Sequence, residues 1–575
     1  MMENIENRYS DWNNKAAGDK DIIKELDLMM NDSVWKQDAF YRDLSFGTAG
    51  IRGVMGAGTN RINIYTVART SQGIVNYIVK NKKGKVARIA IAYDSRRKSK
   101  LFAETAARVF AANGMQVEIY GEIMPTPCLS YAVRSLNCDL GVVITASHNP
   151  PQYNGYKVYD SKGCQINTQV ADLIVREINR VDIFKDIKWL DFDIALKEGY
   201  IKYISDDIYF EFIEEVKKQT LIEENKAVDK DISIVYSPLN GTGAKPVQQI
   251  LSDTGYTNIS VVKEQKEPDG DFTTCKSPNP ESKEAMFLSI KYAQEKNADI
   301  AIATDPDCDR VGVAIKTDEQ QYRLLTGNEV GILLLDYICS QHIKNNTMPK
   351  DALFVKTIVS SDMAESIADN YGVKTINVLT GFKYIGEQIG LLDECGKTDS
   401  YIFGFEESCG YLTGTYVRDK DAVNGVFMIC EMAAVYKAKG ISLAGRLQEL
   451  YRTYGYNENF LYTYEFQKNE DIPTLETINK MFEGKSAISE DFIITHTIDY
   501  SVGVDNLPKE NVLKIVFNND TSIIIRPSGT EPKLKIYCSI KANDNDGILK
   551  KERKIREIVD EIVNQQIQAD GNILI

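Results

Sequence analysis

Three aspartates stand at every second position of the segment DPDCDR, as Asp305, Asp307 and Asp309. Carboxylates spaced in this way can converge on one side of an extended or turning segment, where they supply hard oxygen ligands for Mg²⁺. A solvated acidic turn is the alternative, but a buried strand that ends in three carboxylates repels itself without a cation. A calcium EF-hand is disfavoured because Arg310 and Lys316 occupy its glycine and final glutamate positions. We therefore predict a metal site here.

A second segment, TASHNPPQYNGYK at residues 145–157, places Ser147 directly after the apolar run LGVVIT. The simplest interpretation is a turn serine at the end of a strand. A hydrolase is disfavoured because there is no GxSxG elbow and adjacent side chains of an extended segment point apart, which makes His148 a poor base for Ser147. A serine that accepts a phosphoryl group needs exposure, a metal and cationic neighbours, and His148 and Lys157 supply part of that set.

Two further loops carry residues suited to a sugar and a phosphate. In GFEESCGY, Glu406 and Ser408 can bind adjacent sugar hydroxyls, although a glycine-flanked surface turn explains the segment equally well. In RPSGTEPKLK, Arg526 offers a bidentate fork, and the hydroxyl and N–H groups of Ser528, Gly529 and Thr530 can surround a phosphate. A plain hairpin turn is the alternative for this last loop.

Nucleotide-binding motifs are absent from the sequence. The glycine-rich segments FGTAGIRG and SPLNGTGAK match neither GxGxxG nor GxxxxGK[ST], so both are predicted to be turns, with Arg52 a candidate anion contact.

Around these loops, apolar strands, turns and amphipathic helices alternate three times, which is typical of α/β layers with largely parallel pairing. After about residue 456 the chain becomes rich in β-strands, and a helix is predicted near residues 553–566. We predict an α/β fold of three similar domains with mixed sheets and a C-terminal α+β domain. Their expected bounds are 1–208 (Ser147 loop), 209–322 (aspartate loop), 323–455 (GFEES loop) and 456–575 (RPSGT loop).

Composition limits the partners of this 575-residue chain. A formal net charge of −14 disfavours a general nucleic-acid binder, although it does not disfavour a small anionic substrate. Ten cysteines without a CxxC pair fit a reducing compartment, and three histidines are too few for a multi-histidine metal site. Neither a signal peptide nor a long apolar run is present, so we expect a cytoplasmic protein that does not enter a membrane.

With its loops in this order, the sequence resembles the α-D-phosphohexomutase family, and more closely its phosphoglucomutase and phosphopentomutase branch. Shared motifs run along nearly the whole chain: FGTAGIRG, YDSR, TASHNP, PNPE, DPDCDR, TGFK, GFEES, VRDKD and RPSGTEPK. The resemblance implies three similar α/β domains, a C-terminal phosphate-binding domain and a cleft between all four.

The resemblance also implies roles for individual residues. Ser147 resembles the phosphoserine, and its phosphate completes the metal site of Asp305, Asp307 and Asp309. Matches to positions near the reacting groups are Arg52, His148 and Lys157. Matches to substrate-binding positions are Arg310, Thr380, Gly381, Lys383, Glu406, Ser408, Arg526, Ser528, Gly529 and Thr530.

The implied reaction interconverts α-D-glucose 1-phosphate and glucose 6-phosphate, with Mg²⁺ as cofactor and glucose 1,6-bisphosphate as intermediate and activator. The expected partners are sugar phosphates, and the chain is expected to be a monomer or small homo-oligomer. GFEESCGY and TGFK depart from the phosphomannomutase pattern, which favours glucose. Open alternatives are a phosphopentomutase, a phosphomannomutase or a hexose-bisphosphate synthase on the same scaffold, a phosphatase, and an inactive sugar-phosphate sensor.

Overall fold

Each of three consecutive α/β units is built on its own sheet of mixed pairing, and an antiparallel sheet follows as the fourth. This confirms the predicted fold class. The computed structural model describes residues 2–16, 18–47, 50–81, 85–223, 228–466, 472–482, 487–489, 491–504, 507–518, 520–527 and 533–570.

Three N-terminal helices, which the strand–helix pattern did not predict, precede the first sheet. They are α1 (Met2–Lys15), α2 (Lys20–Met29) and α3 (Ser33–Phe40). Trp12 is 2% exposed and packs edge-on against the rings of Phe40, Tyr65 and Phe184, which joins these helices to the first unit.

The first unit has a six-stranded sheet. Its strands are β1 (Gly50–Val54), β2 (Arg88–Tyr93), β3 (Gln116–Ile119), β4 (Leu140–Ile144), β5 (Tyr153–Asp160) and β6 (Ile201–Tyr203). Its helices are α4 (Ile64–Asn81), α5 (Ser99–Ala112), α6 (Thr126–Ser135), α7 (Thr168–Ile178), α8 (Phe192–Lys197) and α9 (Asp206–Lys217). The order is β1-β5-β4-β2-β3-β6, in which β2, β3, β4 and β6 are parallel and β5 runs against both β4 and β1. Every residue of β4 is buried, as its apolar run LGVVI predicts.

The second unit has the sheet order β11-β10-β9-β7-β8. Its elements are β7 (Ile234–Ser237), α10 (Ala244–Asp253), β8 (Ile259–Val261), α11 (Lys263–Lys266), α12 (Lys283–Lys296), β9 (Ile300–Thr304), β10 (Val311–Lys316) and β11 (Tyr322–Leu324). Strands β8, β7 and β9 are parallel, whereas β10 returns antiparallel to β9.

The third unit has the sheet order β13-β12-β14-β15. Its elements are α13 (Gly327–Asn345), β12 (Leu353–Thr357), α14 (Met363–Asn370), β13 (Lys374–Val378), α15 (Phe382–Glu394), a 3₁₀ turn (Thr398–Ser400), β14 (Tyr401–Glu406), β15 (Gly410–Leu412), α16 (Ala422–Ala438) and α17 (Leu443–Tyr454). Again the last strand, β15, returns antiparallel to its predecessor.

The fourth unit is a six-stranded antiparallel sheet with the order β16-β21-β20-β19-β18-β17. Its elements are β16 (Tyr456–Glu465), α18 (Leu475–Phe482), β17 (Ala487–Ser489), β18 (Phe492–Asp499), β19 (Leu513–Phe517), β20 (Ser522–Pro527), β21 (Lys533–Ala542) and α19 (Asn545–Asp570). The last helix is longer at both ends than the predicted 553–566.

Three of the loops that hold predicted site residues connect antiparallel strands. Residues 145–152 join β4 to β5, residues 305–310 join β9 to β10, and residues 407–409 join β14 to β15. The expectation of largely parallel pairing is wrong at these places, because so short a loop cannot make the crossover that parallel strands require.

Gly241 and Gly243 of the SPLNGTG segment pack against the aspartate loop; a Cβ added to Gly243 would lie 3.0 Å from Sγ of Cys308. A Cβ added to Gly241 would lie 2.4 Å from Cα of Pro306, and the amide of Thr242 donates to the Pro306 carbonyl at 2.8 Å. The segment is therefore glycine-rich because its backbone must approach the DPDCDR backbone closely, which explains its composition without a nucleotide.

Gly241→Ala is expected to destabilise the protein by about 1–3 kcal/mol, because the methyl group meets backbone atoms that cannot rotate away. Chemical denaturation measures the change. Gly121→Ala is the matched control, because its nearest neighbour, a ring atom of Tyr203, would lie 3.4 Å from the added Cβ. Equal stability of the two variants would contradict the close packing.

Candidate active site

Ser147 lies at the end of β4 against the aspartate loop of the second unit. Its hydroxyl donates to Oδ2 of Asp305 at 2.8 Å, and its amide donates to Oγ1 of Thr145 at 2.7 Å. The residue is only 3% exposed, so its hydroxyl is less accessible to solvent than the exposed serine that we expected from the sequence. The structure thus brings together the two loops in which the sequence predicts phosphoryl chemistry.

The three aspartates converge as their spacing predicts. One carboxylate oxygen from each of Asp305, Asp307 and Asp309 lies within 4.8 Å of the other two, and all three residues are at most 1% exposed. Burial, together with the neighbouring charges of Asp307 and Asp309, raises the pKa of Asp305 well above its usual range. Oδ1 of Asp307 and Oδ1 of Asp309 have no hydrogen-bond partner among the described residues. Buried, unpartnered carboxylate oxygens fit a hard divalent cation.

Two lysines from other units neutralise part of this charge. Nζ of Lys157, on β5, lies 2.8 Å from Oδ2 of Asp307 and 3.2 Å from Oδ2 of Asp309. Nζ of Lys420 lies 3.3 Å from the same oxygen of Asp309. Burial opposes the ionised form of Asp309, but the ammonium groups of Lys420 and Lys157 hold its pKa below the usual range.

His148 contradicts the expectation that its side chain points away from Ser147, since its Nδ1 lies 3.1 Å from the Ser147 Oγ. The reason is that Ser147 has φ 52°, so the strand alternation ends there and adjacent side chains can meet. Burial, with the positive charges of Arg310 and Arg52, lowers the pKa of His148 well below its usual range. The imidazole is therefore neutral at pH 7.

Two arginines border this group from different loops. Nη1 of Arg52 donates to Oδ1 of Asn149 at 2.9 Å, next to the Ser147 turn. Arg310 pairs with Glu281, and its amide donates to Oδ1 of Asp305 at 2.9 Å. Both residues therefore lie next to the group formed by Ser147 and the aspartates.

The GFEES turn of the third unit meets the aspartates through Lys420, whose Nζ lies 3.7 Å from Oε1 of Glu406. Glu406 is 5% exposed, and burial raises its pKa to about 7. The next residue, Glu407, accepts from Oγ1 of Thr357 at 3.0 Å, and the Ser408 hydroxyl donates to Oε1 of Glu407 at 3.2 Å. Glu406 therefore belongs to the group around the aspartates, whereas Ser408 is bonded to Glu407.

A second cationic group lies where α15 meets the fourth unit. Lys383 lies in the first turn of α15, and burial lowers its pKa. The negative charge of Glu510 opposes this shift, whereas the positive charge of Arg526 adds to it. Nη2 of Arg526, on β20, lies 3.3 Å from Oε1 of Glu510. Gly381 is the N-cap residue that precedes α15, with φ 116°, and the Thr380 hydroxyl is buried without a hydrogen-bond partner in the described part of the chain. Ser528, Gly529 and Thr530 lie outside the described residues.

Three residues at the site were not among the predicted ones. Lys420 joins Asp309 to Glu406, Thr126 donates to Oδ2 of Asp307 at 3.1 Å, and Glu407 accepts from Thr357. Lys420 lies in the motif VRDKD and Glu407 in GFEES, but the sequence does not indicate which residues either side chain contacts in the folded protein. Thr126 begins helix α6 and carries no local signal of its role.

Three α/β units whose antiparallel returns carry a serine, three carboxylates and a Glu-Glu-Ser turn, followed by an antiparallel C-terminal domain, define the phosphohexomutase class. Family profiles for "Phosphoglucomutase/phosphomannomutase, alpha/beta/alpha domain I", "domain II" and "domain III" match residues 43–183, 207–319 and 326–454 in turn. The chain belongs to the phosphoglucomutase/phosphomannomutase family. It is accordingly a phosphotransferase of the mutase type.

Relatives and solved structures agree with this assignment. A phosphoglucomutase of Staphylococcus aureus (strain MRSA252) is 34% identical over 551 residues, which cover 93% of this chain and 96% of the relative. The open form of parafusin, a phosphoglucomutase from Paramecium, superposes with a TM-score of 0.68 at 18% identity, covering 92% of this chain and 96% of the other. A phosphoglucomutase/phosphomannomutase family protein from Burkholderia thailandensis gives 0.66 at 17% identity, covering 92% and 98%. These two structures show the shared fold.

Among the described residues, no helix combines the length and apolar character needed to cross a membrane.

The raised pKa of Glu406 predicts a pH-dependent stability. Between about pH 4.5 and pH 7 the folded protein keeps this carboxyl protonated while the unfolded chain releases the proton, so rising pH favours unfolding. Relative to Glu406→Gln, the free energy of unfolding of the wild type is expected to fall by about 3 kcal/mol across this pH range and to change little above it. Denaturation in EDTA at several pH values measures the difference. If the difference in unfolding free energy between the wild type and Glu406→Gln did not depend on pH, the raised pKa would be contradicted.

Proposed function

We propose that this protein interconverts α-D-glucose 1-phosphate and glucose 6-phosphate, with Ser147 carrying the phosphoryl group and glucose 1,6-bisphosphate as the intermediate. The observation that carries the proposal is the 2.8 Å contact between the Ser147 hydroxyl and Asp305, beside Oδ1 of Asp307 and Oδ1 of Asp309, which lack a hydrogen-bond partner within the described part of the chain. A hydroxyl that can bear a phosphate lies next to a group able to hold the cation that phosphoryl transfer requires.

Mg²⁺ would be held by Asp305, Asp307 and Asp309 together with a phosphate oxygen on Ser147, and it would neutralise charge on the transferring group. The protein's own cations complete this neutralisation. Lys157 and Lys420 contact Oδ2 of Asp309, and Nε of Arg310 lies 3.9 Å from Oδ1 of the same carboxylate. A phosphoserine adds about −1.5 to −2 charges at pH 7, which these three side chains are placed to offset.

Each turnover then consists of two transfers. Phosphorylated Ser147 donates its phosphoryl group to the free hydroxyl of the sugar monophosphate, and the resulting bisphosphate returns its other phosphoryl group to Ser147. Between the transfers the sugar must turn over. Glu406 and Ser408 are the proposed contacts of its hydroxyls, while Lys383, Arg526 and the RPSGT loop are the proposed contacts of the distal phosphate.

Glucose is the proposed sugar because the similar curated relatives are phosphoglucomutases, one of them 34% identical across nearly the full chain. The sequence GFEESCGY also lacks the histidine that follows the glutamate–serine pair in the phosphomannomutase pattern. Proposed partners are accordingly small sugar phosphates.

Ser147→Ala is expected to abolish mutase activity, because no other residue is proposed to carry the phosphoryl group. Phosphate on Ser147 of the purified wild type is detected by mass spectrometry after mild proteolysis. Ser340→Ala, on helix α13 away from the site, is the control and is expected to retain full activity. Retention of most activity by Ser147→Ala would refute the phosphoserine mechanism, and an inactive, unphosphorylated wild type would favour a sugar-phosphate sensor.

A substrate panel tests the sugar. Glucose 1-phosphate is expected to give the highest kcat/KM, above mannose 1-phosphate and ribose 1-phosphate, with activity increased by a trace of glucose 1,6-bisphosphate and abolished by EDTA. A preference for the mannose or ribose substrate would reassign the enzyme within its family. Release of inorganic phosphate as fast as isomerisation would identify a phosphatase instead.

A further inference from the structure

The guanidinium of Arg96 binds four carbonyl groups, three in the Ser147 loop and one at Tyr153, the first residue of β5. Nη2 donates to the carbonyl oxygens of Ser147, at 2.6 Å, and of Asn149. Nη1 donates to the carbonyl oxygens of Pro150, at 3.0 Å, and of Tyr153, at 3.1 Å. Because the two terminal nitrogens carry four N–H groups in all, the four carbonyls provide one acceptor for each of these donors.

This guanidinium is buried together with its counter-charge. The side chains of Arg96 and Asp94 are both 0% exposed, and Nε of Arg96 lies 3.4 Å from Oδ2 of Asp94. Asp94 is itself fixed by the hydroxyl of Ser99 at 2.6 Å and by the amide of Arg96 at 3.0 Å. Removing a charged group from water costs several kcal/mol unless its hydrogen bonds are replaced, and the loop carbonyls provide the replacement.

The Ser147 loop needs support from outside, because it lies between strands and contains an unfavourable backbone conformation. Ser147 has φ 52°, a left-handed conformation that costs a non-glycine residue roughly 1–2 kcal/mol. Its local hydrogen bonds include those from its own amide to Thr145 and from the Asn149 amide to the Ala146 carbonyl at 3.1 Å. The bond from Arg96 to the Ser147 carbonyl adds to these local bonds a contact from outside the loop.

The second unit closes over the same guanidinium. The ring of Phe272 lies 4.9 Å from Cζ of Arg96, which is within the range of a cation–π contact. A Cβ on Gly270 would lie 2.5 Å from the amide nitrogen of Arg97, so the two backbones are in close contact there. Arg96 thus links the Ser147 loop to the unit that holds the aspartates.

We propose that Arg96 is a positioning residue for phosphoryl transfer: it fixes the Ser147 loop in the conformation that places the hydroxyl against the aspartate site. Its described contacts are with backbone carbonyls, Asp94 and Phe272, so it acts through the loop. Lysine cannot replace it, because one ammonium offers three donors without the planar fork that reaches four carbonyls. The catalytic part of this inference rests on the proposed role of Ser147, whereas the conformational part does not.

Arg96→Lys keeps the charge and removes the fork. We expect kcat to fall about 10²-fold, because a displacement of the nucleophile by about 1 Å costs that much, while KM for glucose 1-phosphate stays within about threefold. Arg61→Lys is the matched control. Arg61 is also a buried arginine of the first unit that donates to backbone carbonyls, those of Asp38 at 3.2 Å and Asn60 at 3.1 Å. This control is expected to lose stability but to keep its kcat.

Amide hydrogen exchange measures the loop independently of the chemistry. In Arg96→Lys the amides of Ser147 and Asn149 are expected to exchange at least about tenfold faster than in the wild type, and in Arg61→Lys they are not. This readout stays valid even if Ser147→Ala proves active and the proposed function fails. Unchanged exchange in Arg96→Lys, or equal losses of kcat in the two variants, would overturn the inference.

Should Arg96→Lys fail to fold, Phe272→Leu provides the second test. It keeps the guanidinium and its carbonyl bonds but removes the ring that covers them. We expect a smaller change in the same direction, with faster exchange of the loop amides and a lower kcat at unchanged KM. Wild-type exchange and wild-type kcat in Phe272→Leu would count against the inference.

Discussion

Repulsion among three buried carboxylates is the constraint on which the rest of this structure depends. Asp305, Asp307 and Asp309 lie within a few ångströms of one another with almost no exposure to water, where like charges interact strongly. A single domain that carried these groups alone would favour their protonation. Arg310 of the same loop opposes this effect, and two further cations come from other units: Lys157 from the first and Lys420 from the third. The charge of the aspartate loop therefore helps to hold three units together.

An antiparallel strand follows the Ser147 loop, the aspartate loop and the GFEES turn. A parallel crossover would carry the chain away from the end of the sheet, whereas a short return keeps the loop at that end and places the following strand beside it. Lys157 shows the benefit, because it lies on β5, the return strand of the Ser147 loop, and reaches Asp307 from there. One loop and its return strand thus provide both the Ser147 hydroxyl beside Asp305 and an ammonium group beside Asp307.

Sequence reasoning was most successful where the signal is local. Spacing alone predicted that the aspartates converge, and the apolar runs around them predicted buried strands, as the wholly buried β9 shows. It failed at His148, because one left-handed residue reverses the side-chain direction that strand geometry implies. The partners of Lys420 could not be predicted, since Asp309 and Glu406 become its neighbours only when two units pack together.

The N-terminal helices show a different limit. Their apolar residues are spaced so that each helix has an apolar face. Trp12, on one such face, packs against the rings of Phe40, Tyr65 and Phe184, which are far apart in the sequence. Burial of this aromatic cluster, rather than local helix preference, decides that the segment folds onto the first unit. An alternation of strands and helices contains no information about such an addition.

Adjacent glutamates at the end of β14 connect the two cationic groups of the site. Glu406 is the last residue of the strand and lies beside Lys420. Glu407 accepts a hydrogen bond from Thr357, and its negative charge contributes to the raised pKa of Arg526 in the fourth unit. Successive residues at a strand end point to opposite sides, so one turn can contact both groups at once. In the proposed reaction these groups bind the two phosphates of the bisphosphate. Because the GFEES turn lies between them, it is the element that can hold the sugar in either of its two orientations.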